Sequence, residues 1–138
     1  MTGGDQLDPQ EVNRVFALLE QGTSGTFWKY VDENVDWTVK GTHPLAGHYT
    51  SLKDFRHNTF DRIHRAVQGG NVRVNVKNIV IAGNWVTAEL LSDAIALKGW
   101  RFANAYCWVT RWQNGKIVEV HAYVDSALTT RLIDEAER

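Results

Sequence analysis

Cysteine is almost absent from this sequence, which contains one such residue, Cys107. A single thiol cannot form an internal disulfide, and it has no partner cysteine with which to build a zinc cluster. We therefore expect a protein of a reducing compartment, with the cytoplasm as its localisation, and we expect no metal site.

Excess charge and long hydrophobic runs are missing as well. The 16 acidic and 15 basic residues give a formal net charge of -1, so charge favours neither nucleic acid nor an anionic membrane as a partner. No segment approaches the roughly 20 apolar residues that a membrane-spanning helix needs. Residues 1–5 contain neither a basic region nor an apolar run, so no signal peptide is predicted.

What the sequence does contain is typical of one globular domain. Hydrophobic residues make up 43% of the 138 positions, and a chain of this length can bury a real core without disulfides. We expect a single domain with an ordered core over about residues 8–133, after a loose tail at residues 1–7. Helical spacing and capping residues predict three helices before the four long strands and one after them, at about 9–21, 24–33, 52–67 and from Ser126 onward.

Alternating residues predict the strands. A short strand is expected at 35–39, followed by a loop at 40–50. Four longer strands are expected at about 72–82, 84–98, 101–113 and 116–125. Asn114-Gly115 lies between two β-branched and aromatic runs, which is the strongest short hairpin signal in the chain. The pattern predicts an α+β fold with an antiparallel meander in sequence order, not a parallel α/β fold.

One face of the strand at 101–113 carries an unusual combination of side chains. Alternation places five residues on this face: Phe102, Asn104, Tyr106, Trp108 and Thr110. An amide among aromatic rings, on a strand long enough to cross a domain, indicates a face that lines a ligand.

Several segments resemble one family at residue level. The matching pieces are residues 35–49, the Asn104-x-Tyr106 step, residues 115–120 and Tyr123-x-Asp125. With the order of elements, they resemble the nuclear transport factor 2-like superfamily over about residues 8–133, and within it the SnoaL-like, ketosteroid isomerase-related branch. The resemblance implies a cystatin-like cone: a strongly curved antiparallel sheet wrapped around N-terminal helices, enclosing a deep apolar pocket. It also implies a homodimer formed through the outer face of the sheet.

The resemblance does not carry over the catalytic residues of a ketosteroid isomerase. That reaction needs an aspartate base and acids that hydrogen-bond the dienolate oxygen. The matching positions are Thr38 for the base, Trp108 for the oxyanion-hole aspartate, and Val15 or Phe16 for the tyrosine. All three residue types are absent, so we do not expect steroid isomerisation by that apparatus.

Two further reactions of this superfamily also lack their residues. The Asp–Arg–Asp relay of limonene epoxide hydrolase would fall on Leu90, Ser92 and Ala122, which carry no charge. SnoaL-type cyclases close a polyketide ring with an aspartate as acid/base. Asp93 and Asp125 are the aspartates of the meander, and Asp125 is better placed to cap the final helix.

Three residues are the catalytic candidates, and each has a structural alternative. His43 lies in a loop beside the expected pocket and could be a general base, or it could be held by backbone groups. Asn104 and Tyr106 could donate hydrogen bonds to a carbonyl oxygen, or they could satisfy one another in the core.

Six residues are the ligand-binding candidates. Trp28, Trp37 and Trp108 are expected to wall the pocket, and Glu89 could be a base or a solvated carboxylate at an edge. The resemblance adds Val120 and Ala122 to the inner face. Outward positions are expected for His121 with Tyr123 and for three tryptophans near strand ends: Trp85, Trp100 and Trp112.

Taken with the resemblance, these residues predict a small-molecule-binding protein. The expected activity is that of an isomerase, cyclase or dehydratase, without metal or organic cofactor, acting on an apolar carbonyl-bearing or ring-containing metabolite. The expected pocket has a volume of roughly a few hundred Å³. The alternative is a non-catalytic binding or accessory module of the same fold.

Overall fold

The computed structural model describes residues 7–138, so most of the predicted N-terminal tail, residues 1–6, lies outside the described residues. The described residues form four α-helices: α1 (Pro9–Ala17), α2 (Leu52–Asn58), α3 (Phe60–Ala66) and α4 (Ser126–Ala136). Over the same range there are seven strands: β1 (Val31–Val39), β2 (Gly47–Tyr49), β3 (Arg73–Ala82), β4 (Trp85–Ile95), β5 (Arg101–Phe102), β6 (Ala105–Gln113) and β7 (Lys116–Val124). No helix within residues 7–138 has the length and apolar character to cross a bilayer.

The predicted first helix is present. The Asp8 side chain accepts a hydrogen bond from the backbone N–H of Gln10, and Pro9 opens α1, as in a typical helix N-terminus. A 3₁₀ turn (Leu18–Gln21) extends the helix to the predicted end. Four apolar residues recur on the face that the helix buries: Val12, Val15, Phe16 and Leu19.

The sheet is one curved surface whose long strands follow one another as predicted. Its order is β2-β1-β7-β6-β4-β3, with β5 paired to β4. The pairs β3–β4, β4–β6 and β6–β7 are all antiparallel, which confirms the meander. Asn114 and Gly115 both have positive φ angles, 53° and 78°, so they form the predicted tight turn between β6 and β7. β1 lies parallel to β7 and connects the meander to the N-terminal half of the chain.

The N-terminal third differs from the prediction in its boundaries. The predicted helix at 24–33 is a 3₁₀ turn (Thr26–Tyr30), and β1 begins at Val31 instead of residue 35. Val31 pairs with Ile117 of β7, but the register between the two strands shifts before Asp36. Because of this shift the first residues of β1 do not alternate regularly, and the sequence pattern did not indicate a strand there. The predicted loop at 40–50 contains β2, which pairs with β1.

The predicted helix at 52–67 is two helices that meet at Thr59. Its backbone leaves the helical region, at φ -124° and ψ -83°. The Thr59 hydroxyl donates to the carbonyl oxygen of Phe55 at 2.6 Å, and such a local bond bends helices. The break turns α2 and α3 so that both pack on the concave side of the sheet.

The core is buried on the concave side of the sheet. Alternation along β5 and β6 places the predicted ligand-lining face on this side. Phe102, Asn104, Tyr106, Trp108 and Thr110 are all buried. The outward position predicted for Trp112 is wrong. The Trp112 ring is buried, with its centroid 6.0 Å from that of Phe16. Trp112 points inward because it follows Trp108 and Thr110 at every second residue of the strand.

A second exception to the predicted alternation lies in β7. Val120 and Ala122 are buried there, and strict alternation would add Val118 to their face, yet it is Ile117 that is fully buried. The cause is a register shift between Arg111 and Trp112, which leaves Val118 without a partner opposite.

Candidate functional site

The candidate site is a cavity between the inner face of the sheet and the helices. Strands β1, β6 and β7, helices α2, α3 and α4 and the loop after β1 all contribute to it. Five aromatic rings make up much of its wall: Trp37, Phe55, Phe60, Tyr106 and Trp108. Five of the residues predicted as catalytic or ligand-binding candidates line this cavity: Trp37, His43, Asn104, Tyr106 and Trp108.

The cavity is smaller than expected. Its volume is about 30 Å³, room for about two water molecules, whereas the sequence led us to expect a few hundred Å³. The aromatic rings account for the difference, because they pack on one another. Trp37 stacks on Phe55 with ring centroids 3.9 Å apart, and it meets Trp108 edge-on at 5.1 Å. A ring-sized ligand therefore needs these side chains to move apart.

Three polar atoms of the lining residues are buried without a hydrogen bond. They are Trp37 Nε1, Asn104 Oδ1 and Tyr106 Oη, and none has a partner among residues 7–138. Two of them can donate a proton and one can only accept. A buried polar group without a partner costs about 1–3 kcal/mol. Three such atoms around one cavity are the arrangement expected of a site that a polar ligand completes.

Tyr106 is the most deeply buried titratable group of the cavity. Its side chain is 6% exposed, and burial raises the pKa of Tyr106 to about 12, although nearby Asn104 and Ser92 oppose that rise. The two neighbours lie close to the hydroxyl without reaching hydrogen-bond geometry. At neutral pH the hydroxyl is therefore protonated and can donate.

Asn104 is held by its backbone and by its amide nitrogen. Its backbone N–H donates to Ser92 Oγ at 2.7 Å, and its carbonyl oxygen accepts from the Ser92 N–H at 2.9 Å. These bonds join the break between β5 and β6 to the neighbouring strand β4. The Asn104 side-chain nitrogen donates to Thr129 Oγ1 at 3.0 Å. Asn104 is thus fixed by its backbone and by its side-chain nitrogen, while its side-chain oxygen stays unpartnered.

His43 lines the cavity but uses both ring nitrogens elsewhere. Its Nε2 lies 2.9 Å from the Lys40 carbonyl oxygen, and its Nδ1 accepts from the Leu45 backbone N–H at 3.2 Å. These partners require the tautomer with the proton on Nε2. The arrangement matches the structural alternative for His43, a loop histidine held by backbone groups.

The remaining predicted binding residues divide into two groups. Ala122 and Trp108 line the cavity, while Trp28 and Val120 are buried beside it without lining it. Trp28 donates its N–H to the Thr23 carbonyl oxygen and is packed behind the wall.

Glu89 lies outside the site, which corrects its prediction as a binding residue. The parity of β4 turns Ala88 and Leu90 inward and Glu89 outward, where it accepts a hydrogen bond from Asn78.

Sequence reasoning left several lining residues out of the site. Four of them lie on α2, on α3 or at the break between these helices: Phe55, Thr59, Phe60 and Ile63. Thr129 was missed, although the sequence contains a signal, a threonine four residues after the capping residue Asp125. At that spacing the hydroxyl can donate to the carbonyl oxygen of Asp125, as it does here.

The outer face of the sheet carries a separate polar cluster. Arg111 and His121 both contact the carboxylate of Glu119, at 2.9 and 2.8 Å. The Arg111 and His121 hydrogen bonds lower the pKa of Glu119 below its ordinary value. His121 stacks on Trp85, and Tyr123 beside it is 48% exposed. His121, Tyr123 and Trp85 therefore have the outward positions that the sequence predicted.

A metal site is not indicated by side-chain clustering. Among residues 7–138 no three His, Cys, Asp or Glu side chains are grouped so that they could hold an ion.

Comparison with known proteins gives three results. A family model described as "SnoaL-like domain" matches residues 12–120. Two curated relatives match over 115 residues, covering 80% of this chain and 50% of theirs. They are the dimerizing cyclase phiC of Fungal sp. (strain ATCC 74256), 30% identical, and the dimerizing cyclase tstC of Talaromyces stipitatus, 28% identical. The chain thus spans about half the length of these relatives.

Among solved structures, a nuclear transport factor 2-like protein from Burkholderia thailandensis superposes with a TM-score of 0.73 at 22% identity. The match covers 90% of this chain and 95% of that one. It confirms the predicted α+β fold, a curved sheet around N-terminal helices.

Proposed function

The chain belongs to the SnoaL-like family, as the sequence resemblance predicted, and from this premise we propose that it is a cofactor-independent isomerase, cyclase or dehydratase. Its substrate is a small, largely apolar molecule that carries a carbonyl group or a ring and binds in the aromatic cavity. The similarity to two dimerizing cyclases supports a cyclase in particular. Because the match covers only about half of those relatives' length, their own reactions do not transfer as a whole.

One observation carries this proposal: the unpartnered donors and acceptor of the cavity. When a ring-closing or isomerising step moves electron density onto a carbonyl oxygen, the Tyr106 hydroxyl and the Trp37 N–H can donate to that oxygen. Both donors are buried among aromatic rings, where a hydrogen bond to a developing charge is stronger than in water. The raised pKa of Tyr106 keeps its proton on the phenol at neutral pH.

A carboxylate base is missing from this arrangement. Within the described chain, residues 7–138, the cavity is lined by no aspartate or glutamate, and both nitrogens of His43 are engaged by backbone groups. The catalysis we propose therefore depends on polarising the carbonyl and on confining the reacting groups among the rings. His43 then serves to hold the loop that carries Leu45 against the cavity.

Replacing Tyr106 with phenylalanine tests the proposal, because it removes the hydroxyl and keeps the ring. If the hydroxyl stabilises developing charge, turnover should fall by about 10²–10³-fold. The substrate for this assay comes from a ligand that co-purifies with the protein and is identified by mass spectrometry. Tyr49→Phe is the matched control, since the Tyr49 hydroxyl donates to the Leu45 carbonyl oxygen outside the cavity.

The non-catalytic alternative gives a different result in the same experiment. A binding module would convert no ligand, and Tyr106→Phe would weaken affinity by about 2- to 13-fold, the value of one neutral hydrogen bond. That outcome would reject the enzymatic proposal while keeping the binding site.

The assembly we propose is a homodimer that buries the outer face of the sheet, in the cytoplasm. The exposed ring of Tyr123 and the stacked pair Trp85–His121 lie on that face. Large exposed aromatic surfaces are unusual on monomers. Neither nucleic acid nor a membrane is expected as a partner, because the chain has a net charge of only -1.

A further inference from the structure

The amide group of Asn104 has one orientation that its surroundings allow. Its Nδ2 donates to Thr129 Oγ1 at 3.0 Å, and the proton of that hydroxyl is donated to the Asp125 carbonyl oxygen at 2.9 Å. A flipped amide would place Asn104 Oδ1 against an oxygen whose only proton is already used, so two acceptors would face each other. The unpartnered atom of the amide is therefore the oxygen, which can accept a hydrogen bond but cannot donate one.

The residues that line the cavity also restrict the charge of the ligand. In the part of the chain that the structure describes, the cavity is lined by no Lys, Arg, Asp or Glu. A carboxylate or ammonium group would enter this cavity without an opposite charge, and an isolated buried charge is very unfavourable. The cavity therefore selects uncharged molecules.

The three unpartnered atoms then define what an uncharged ligand must carry. Tyr106 Oη and Trp37 Nε1 are donors and need an acceptor, whereas Asn104 Oδ1 needs a donor. A plain ketone would satisfy the first two atoms and leave the Asn104 oxygen buried and unpaired. Resting on the function proposed above, we propose that the substrate is an uncharged hydroxy-carbonyl compound, in the alcohol or enol form. Its hydroxyl donates to Asn104 Oδ1, and its carbonyl accepts from Tyr106 and Trp37.

Matched probes test this substrate class. Calorimetry compares cyclohexanone, 3-hydroxycyclohexanone and the anion 3-oxocyclohexanecarboxylate on the wild-type protein. The hydroxyketone should bind about 2- to 13-fold more tightly than the ketone, which is the value of one neutral hydrogen bond, and the anion should bind least. Asn104→Leu should abolish the preference for the hydroxyketone. Thr129→Val should reduce it, because the amide is then free to turn.

The outcomes separate this inference from the proposed function. Equal affinity for the ketone and the hydroxyketone, with Tyr106→Phe weakening both, would overturn the hydroxyl requirement and leave the carbonyl site intact. Tightest binding by the anion would overturn the inference that the ligand is uncharged. If neither neutral probe binds, the inference is overturned, and turnover of a co-purified ligand by wild type and Tyr106→Phe decides the proposed function separately. The wild-type comparison needs no variant, so it holds even if Asn104→Leu fails to fold.

Discussion

At the scale of a single residue, His64 of α3 shows how partial burial changes the pKa of a side chain. Its ring lies against Phe60, and its Nε2 is 2.8 Å from Thr23 Oγ1. The Thr23 hydroxyl donates to the Val72 carbonyl oxygen, so His64 Nε2 must be the donor to Thr23. Burial lowers the pKa of His64, although nearby Asp61 raises it and Arg56 lowers it further.

The lowered pKa of His64 predicts a loss of stability in mild acid. A histidine in the unfolded chain takes up a proton near pH 6.5, before the folded protein does. The free energy of unfolding should therefore fall as the pH drops below about 6.5 and level off below the folded-state pKa. Urea unfolding at a series of pH values measures this fall. His64→Gln should weaken it, and His57→Gln, at an exposed position, should not. Identical pH dependence in the wild type and in His64→Gln would contradict the explanation.

At the scale of elements, the loop between β1 and β2 depends on one glycine. Gly41 has φ +117°, and a Cβ atom there would lie 2.5 Å from Ser126 Oγ and 2.8 Å from His43 Cδ2. The close approach lets this loop fold against the start of α4 with His43 beside the cavity. The geometry of the site is thus set partly by a residue that does not line it.

Gly41→Ala is expected to destabilise the protein more than a glycine substitution that meets open space. Gly99 is the matched control, since it has φ +101° and no atom within 4 Å of an added Cβ. Gly99→Ala should cost about 1–2 kcal/mol of backbone strain. Gly41→Ala should cost about 1–3 kcal/mol more, from overpacking. Chemical denaturation measures both, and equal losses would show that the loop adapts without strain.

Asp125 is used by the structure as the cap of α4. Its carboxylate accepts from the Leu128 backbone N–H at 3.2 Å, as the sequence predicts. Asp125→Asn should preserve both stability and turnover, because asparagine caps a helix equally well. Asp125→Ala should cost about 0.5–2 kcal/mol in thermal or urea unfolding. A stable Asp125→Asn protein without turnover would instead identify Asp125 as the acid/base of the reaction.

For the whole molecule, the proposed homodimer makes a direct prediction. Sedimentation at micromolar concentration should give twice the mass of one chain. Tyr123→Lys places a charge in the middle of the proposed interface and should yield monomers. The matched control is Val80→Lys on β3, where the residue is 54% exposed and away from the central strands. A monomeric wild-type protein would reject the proposed assembly.

The antiparallel meander was predictable because its signals are local. Alternation along β6 and the Asn114-Gly115 turn each follow from a few neighbouring residues. The errors depend on contacts between distant segments. The cavity is small because Phe55 of one helix stacks on Trp37 of a strand, and no periodicity reports that packing. Glu89 was predicted to bind the ligand, but it points outward. A carboxylate in a strand sequence does not by itself reveal which of the two strand faces is turned toward the core.

The parallel pairing of β1 with β7 has a consequence for how the chain folds. Trp37 and Ala122 lie on adjacent strands and contribute to one cavity, yet they come from distant parts of the sequence. Closing so long a loop costs entropy before the contacts compensate for it, and such topologies fold slowly. During synthesis, β1 has no strand beside it except the short β2 until β7 has been made. The nascent chain therefore exposes the unpaired edge of β1 to aggregation or chaperone binding until β7 emerges from the ribosome.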